Sequence, residues 1–266
     1  MTKQALDSYL KNQIKTFPGK ASVLLADVDT GEIHFAADPH HPVIAASIIK
    51  VPILLATLDQ VKQKKLSLAQ PIPVPPDQVL PDTQVFELGQ SDYSLWELLY
   101  WMITVSDNTA TNILLDLLGM DLINDYCANT LELPHTRVTR KMLNWTAVEA
   151  GCNNYTSAYD QYRLYCQLCH GRLFPRQLTK VALDILARQR HSDQFLRYIP
   201  RTVSVAHKTG TLDGISHDAG VFFLPHMRCY LGVFTWDGPG TERNPIQKQF
   251  VGRLARAVYN TYKVSL

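Results

Sequence analysis

Apolar residues recur at three- and four-residue intervals near the end of the chain. Phe250, Leu254, Ala257 and Val258 fall on one stripe, which predicts a helix over Gln247–Tyr262. At the other end, Lys3–Lys15 reads as a polar helix that stops before Pro18-Gly19. Two strands follow, Ala21–Asp27 and Glu32–Ala37. They are joined by Val28-Asp29-Thr30-Gly31, a hairpin turn in which glycine supplies a positive φ. From Ser47 to Arg188 the pattern is mostly helical, with breaks at the proline-rich Pro71–Pro81 and the irregular Leu133–Asn154. Strand-like runs return at Ser204–Gly210, Ala219–Pro225 and Cys229–Trp236. Strands at both ends with helices between them predict an α/β chain of the α+β type. Its antiparallel sheet is flanked by the N- and C-terminal helices, and an all-helical lobe is inserted. By residue, 1–46 and 190–266 are expected to form the sheet lobe and 47–189 the helical lobe.

Composition narrows the function classes without selecting one. The chain has 266 residues, 46% apolar and 19% charged, as ordinary globular proteins do. Its net charge of +2 gives no nucleic-acid surface. The one dense basic cluster, Lys62 to Lys65, closes a helix, where cations suit the dipole. The most apolar stretch, Val43–Leu58, is too short to span a bilayer and is interrupted by Lys50 and Pro52. Met1-Thr2-Lys3-Gln4 lacks an apolar signal core, so the chain as written is expected in the cytoplasm, and outside it if a leader has been removed. A monomer is expected. Five cysteines cannot all pair. Cys166-Gln167-Leu168-Cys169-His170 matches a haem-attachment pattern literally, but Tyr162, Tyr165, Cys166 and Cys169 fall at core spacing on an amphipathic helix over Thr156–Leu173. These thiols read as buried packing, and no second Cys/His pair completes a metal site.

Three short words carry the chemistry: Ser47-Ile48-Ile49-Lys50, Ser106-Asp107-Asn108 and Lys208-Thr209-Gly210. Each alone is weak, and Ser8-Tyr9-Leu10-Lys11 is an idle copy of the first. Their order and spacing give the set its weight. Ser47 opens the apolar helix Ile48–Leu58, where free N–H groups favour developing negative charge. Lys50 shares its face and can reach the Ser47 hydroxyl. A serine needs such a base, and a lysine serves only when burial keeps its amine neutral. Lys50 stands amid Ile48, Ile49, Val51, Ile53 and Leu54, where an idle ammonium would be costly. Ser106 is read as the hydroxyl that passes a proton to the leaving nitrogen. Asn108 would hold both Lys50 and a substrate amide carbonyl, and Asp107 would orient the loop. Lys208 offers a cation for a substrate carboxylate, and Thr209 adds a hydrogen bond. Gly210 would let a substrate backbone lie close to the strand. The backbone N–H of Thr211 pairs with that of Ser47 as an oxyanion hole.

With these words in place, the chain from Ala21 onward resembles the class A β-lactamases and their relatives among the serine penicillin-recognising enzymes. The run Ser106-Asp107-Asn108-Thr109-Ala110-Thr111-Asn112-Ile113-Leu114-Leu115 is especially like them. The resemblance implies a two-lobed fold, an acyl-accepting serine in the cleft, catalysis without metal or organic cofactor, and a β-lactam or cell-wall peptide as the small-molecule partner. One departure is serious. The family's E-x-x-L-N keeps its Leu143-Asn144 here, but Arg140 stands where the water-activating glutamate belongs. Glu149 is the only acid between Thr136 and Thr156. Acylation is therefore expected more firmly than release of the acyl group. A penicillin-binding D,D-peptidase or esterase, and a sensor that binds covalently without turnover, remain the alternatives.

Overall fold

The computed structural model describes residues 1–83, 85–86, 91–240 and 243–263. Helix α1 (Lys3–Thr16) leads into β1 (Lys20–Asp27) and β2 (Ile33–Ala37). The short β3 (Val43–Ile44) precedes a 3-10 turn, Ala46–Ile49, that runs straight into α2 (Lys50–Lys62). Strands β4 (Pro71–Pro73) and β5 (Asp92–Ser94) pair ahead of α3 (Leu95–Thr104), α4 (Asn108–Leu118) and α5 (Met120–Asp125). Then come α6 (Trp145–Glu149), β6 (Tyr155–Thr156), α7 (Ala158–Cys169) and α8 (Arg176–Leu186). The chain closes with β7 (Val205–Leu212), β8 (Ile215–Leu224), β9 (Met227–Trp236) and α9 (Pro245–Tyr262).

The antiparallel sheet expected from both termini forms, in the order β2-β1-β9-β8-β7. Strands β1, β8 and β9 are buried on both faces because both are covered. Val23 and Leu25 of β1 pack with Leu6 and Leu10 of α1 and with Phe250 and Leu254 of α9. Leu24 and Ala26, pointing the other way, join the core of α2, α3 and α4. Helix α2 is buried from Lys50 to Gln60, so its apolar run has no solvent face. Among the described residues, no helix is long and apolar enough to cross a membrane.

The strand boundaries differ from expectation where polar side chains are buried. The structure carries β7 on to Leu212 and starts β8 at Ile215, with Gly214 turning the hairpin at φ 65. Ser216, His217 and Asp218, which read as loop, pair with Thr211, Gly210 and Thr209. The side chains of His217 and Asp218 are satisfied from outside this pairing. Asp218 accepts from Phe195 N at 3.0 Å and lies 2.7 Å from His207 Nδ1. The backbone N–H of Thr235 donates to His217 Nδ1 at 3.1 Å, which leaves Nε2–H to donate to Ile44 O at 2.9 Å. Burial pushes the His217 imidazole down to about 4, consistent with that neutral tautomer.

Candidate active site

The turn that carries Ser47 is fastened on both sides. His217 holds Ile44 O, and Ala45 N donates to Asn154 O at 2.8 Å. Ala46 is forced to φ 45, a costly conformation for a side chain with Cβ. Ser47 therefore sits in a tight 3-10 turn rather than on the first turn of a regular α-helix, and it is half-buried. Gly210 has a close neighbour within the fold itself. A Cβ there would meet Ala46 Cβ and Ile48 Cγ1 at 3.1 Å and Ala45 O at 3.2 Å. Glycine is what lets β7 lie against the Ser47 turn.

Lys50 is fully buried and bridges to the second word. Its Nζ lies 2.5 Å from Ser106 O, 3.1 Å from Ser106 Oγ and 2.7 Å from Asn108 Oδ1. Among the described residues its hydrogen bonds go to these two residues and not to Ser47. Burial pushes the Lys50 amine down to about 7, against the opposing pull of Asp107 and Asp82. A neutral amine has two N–H groups, which the carbonyls of Ser106 and Asn108 take. Its lone pair is left to accept from a hydroxyl.

Local structure aims these groups. Ser106 adopts φ 59 at the break between α3 and α4, another strained position. Asp107 caps α4 by accepting from Ala110 N at 2.8 Å, and it accepts from Thr83 Oγ1 at 2.5 Å. Its orienting role was legible in the sequence. Asp82 was missed: it accepts from Asn108 Nδ2 at 2.6 Å, which fixes the amide with Oδ1 toward Lys50. It lay unnoticed just after the proline-rich loop, where an aspartate reads as a turn residue. Asp82, Ser106, Arg190 and His191 line a polar hollow of about 450 Å³, and its last two residues also escaped the sequence reading.

Lys208 is fully buried rather than an exposed edge-strand cation, and its Nζ donates to Thr209 O at 2.8 Å. Burial and then the charge of Lys50 push its amine well below the usual range, while Asp218 pulls the other way. Thr209 is buried beside it, and Thr211 is exposed at the strand end. Ser47, Asn108, Thr211 and Arg140 line one cavity of about 130 Å³, together with Ala46, Met142 and Leu143. Neither Glu149, exposed on α6, nor Asn144, whose side chain caps that helix, lines it.

The profile of the beta-lactamase enzyme family matches residues 5–262. The chain belongs to that family. This beta-lactamase-family hydrolase is 26% identical over 277 residues to a beta-lactamase of Bacteroides uniformis, covering 96% of this chain and 92% of the relative. It is also 26% identical over 253 residues to beta-lactamase VEB-1 of Pseudomonas aeruginosa, covering 85% of this chain and 79% of the relative. Its fold superposes on the crystal structure of a beta-lactamase from Sphaerobacter thermophilus with a TM-score of 0.86, at 25% identity over 100% of both chains.

Proposed function

We propose that this family member opens β-lactam amides through a Ser47 acyl-enzyme and releases the product slowly. The observation that carries the reading is Lys50: buried, hydrogen-bonded to Ser106 and Asn108, and lowered to about 7. Neutral Lys50 takes the Ser47 proton as Oγ attacks the carbonyl carbon. The N–H groups of Ser47 and Thr211 hold the oxyanion. When the C–N bond breaks, Ser106 gives its proton to the nitrogen and recovers one from the Lys50 ammonium 3.1 Å away. The reaction would run between a sheet lobe of residues 1–46 and 190–266 and a helical lobe of residues 47–189.

Slow release follows from what stands beside Ser47. Among the described residues, the cavity wall offers Arg140 and no carboxylate. A guanidinium stays protonated near neutral pH and cannot activate water. A chromogenic cephalosporin should therefore give a burst near one equivalent and then weak turnover. A linear steady state with no burst would instead place release ahead of acylation.

Acylation should rise with pH through about 7 and level off above it, because only the deprotonated Lys50 accepts a proton. Rates measured from pH 5.5 to 9 check this, and a flat or falling profile contradicts it.

Among the described residues Lys208 has no carboxylate partner in its hydrogen bonds, so a substrate carboxylate would supply its counter-charge. Lys208→Ala should lower kcat/KM for penicillins by about one to two orders of magnitude, the value of a charge-assisted hydrogen bond. Lys208→Arg should recover part of the loss. An ester lacking the carboxylate should be nearly indifferent, and an equal loss on both substrates rules out docking as the main role.

A further inference from the structure

Arg140 does more than fill the place of a missing acid. The residue lines the Ser47 cavity, yet it is only 9% exposed. Its hydrogen bonds all go to neutral oxygens: Nε and Nη2 donate to Asn153 Oδ1 at 3.3 and 3.2 Å, and Nη1 donates to Lys141 O at 3.2 Å. Of the five guanidinium N–H groups, two remain. Among the described residues no carboxylate pairs with it. Asp116 is engaged with Lys141, Asp82 with Asn108, and Asp107 with the start of α4. A buried cation with no counter-charge is costly unless something charged arrives to meet it.

The segment presenting this cation is rigid. Asn154 Oδ1 accepts from Thr139 N at 2.8 Å and from Arg140 N at 3.1 Å, while its Nδ2 donates to Arg140 O at 3.1 Å. Asn112 pins the next turn of the loop, accepting from Met142 N at 2.7 Å. The Arg140 backbone is thus locked on both sides, and its segment is tied through Asn154 O to the Ser47 turn.

We propose that Arg140 docks a second anionic group, a carboxylate on the acyl side chain of the substrate, so that this enzyme favours acyl donors carrying two negative charges. The assignment rests on the Ser47 acyl-enzyme reading. In that reading Asn108 holds the amide next to the scissile bond, and Asn108 and Arg140 line the same cavity. The side chain beyond that amide enters the hollow where Arg140 waits, while Lys208 takes the carboxylate beside the ring nitrogen. A planar guanidinium with free N–H groups matches a carboxylate, with Met142 and Leu143 flanking the apolar part. Two sources carry this chemistry: a β-lactam with a carboxylated side chain, and a cell-wall peptide with a free side-chain carboxylate.

Benzylpenicillin and carbenicillin differ by one side-chain carboxylate and form the first pair of probes. The second pair is two depsipeptides ending in D-alanyl-D-lactate, one with a side-chain carboxylate and one without. Carbenicillin should acylate the enzyme about tenfold faster than benzylpenicillin, the low end for a charge-assisted contact. Arg140→Gln should erase that ratio, and Arg140→Lys should keep part of it. A preference confined to the penicillins assigns the β-lactam source, and one seen with the depsipeptides assigns the cell-wall peptide. Equal rates within both pairs, or a preference that survives Arg140→Gln, overturns the assignment and leaves the Ser47 reading standing if benzylpenicillin still acylates. No acylation of folded protein by either penicillin overturns both.

Discussion

Replacing Arg140 with glutamate is expected to shorten the lifetime of the acyl-enzyme by about 10²- to 10⁴-fold, the range a positioned general base supplies. The backbone of residue 140 is held by Asn154 on both its N–H and its carbonyl, so a new side chain there starts from a fixed point on the Ser47 cavity wall. The variant loses three hydrogen bonds to Asn153 and Lys141, a cost of about 1–3 kcal/mol, so a modest fall in Tm should accompany the gain. The check is decay of the penicilloyl adduct on wild type and on Arg140→Glu. An unchanged lifetime in a folded variant would show that the cation at this position is not what limits release.

Lys50→Ala carries the second large effect, a loss of about 10²–10⁴ in the acylation rate. It removes the one amine that links Ser106 and Asn108. Lys50→Arg should not rescue, because a guanidinium keeps its proton at any working pH. That contrast separates base catalysis from charge: if arginine restores the rate, Lys50 acts as a fixed cation. Circular dichroism and Tm on both variants report whether the buried network still folds.

The fold was legible to the extent that one face of each element told its own story. The stripe Phe250, Leu254, Ala257 and Val258 predicted α9, and Ala21–Asp27 predicted β1, whose residues Val23 to Ala26 the structure buries on both sides. The start of β8 was not legible. Ser216-His217-Asp218 looks polar, and its partners, Ile44, His207 and Phe195, are remote in sequence. The three words predicted Asn108 as a partner of Lys50, and the structure adds Ser106 as a second one. They could not reveal the positive φ at Ala46 and Ser106, since strain comes from packing around a turn and not from the residue placed there. Asp82 stayed hidden for a related reason. An aspartate beside a proline is an ordinary turn residue until a distant asparagine reaches it. Arg140 was readable only as a mismatch; its burial and its neutral partners belong to the fold.

The most direct test of the Ser47 acyl-enzyme is an intact mass after brief incubation with benzylpenicillin. The wild-type chain should gain one penicilloyl group that persists for many minutes, with the modified peptide containing Ser47, and Ser47→Ala should gain none. An unmodified wild type in folded protein, or an adduct that forms equally on Ser47→Ala, would contradict the account.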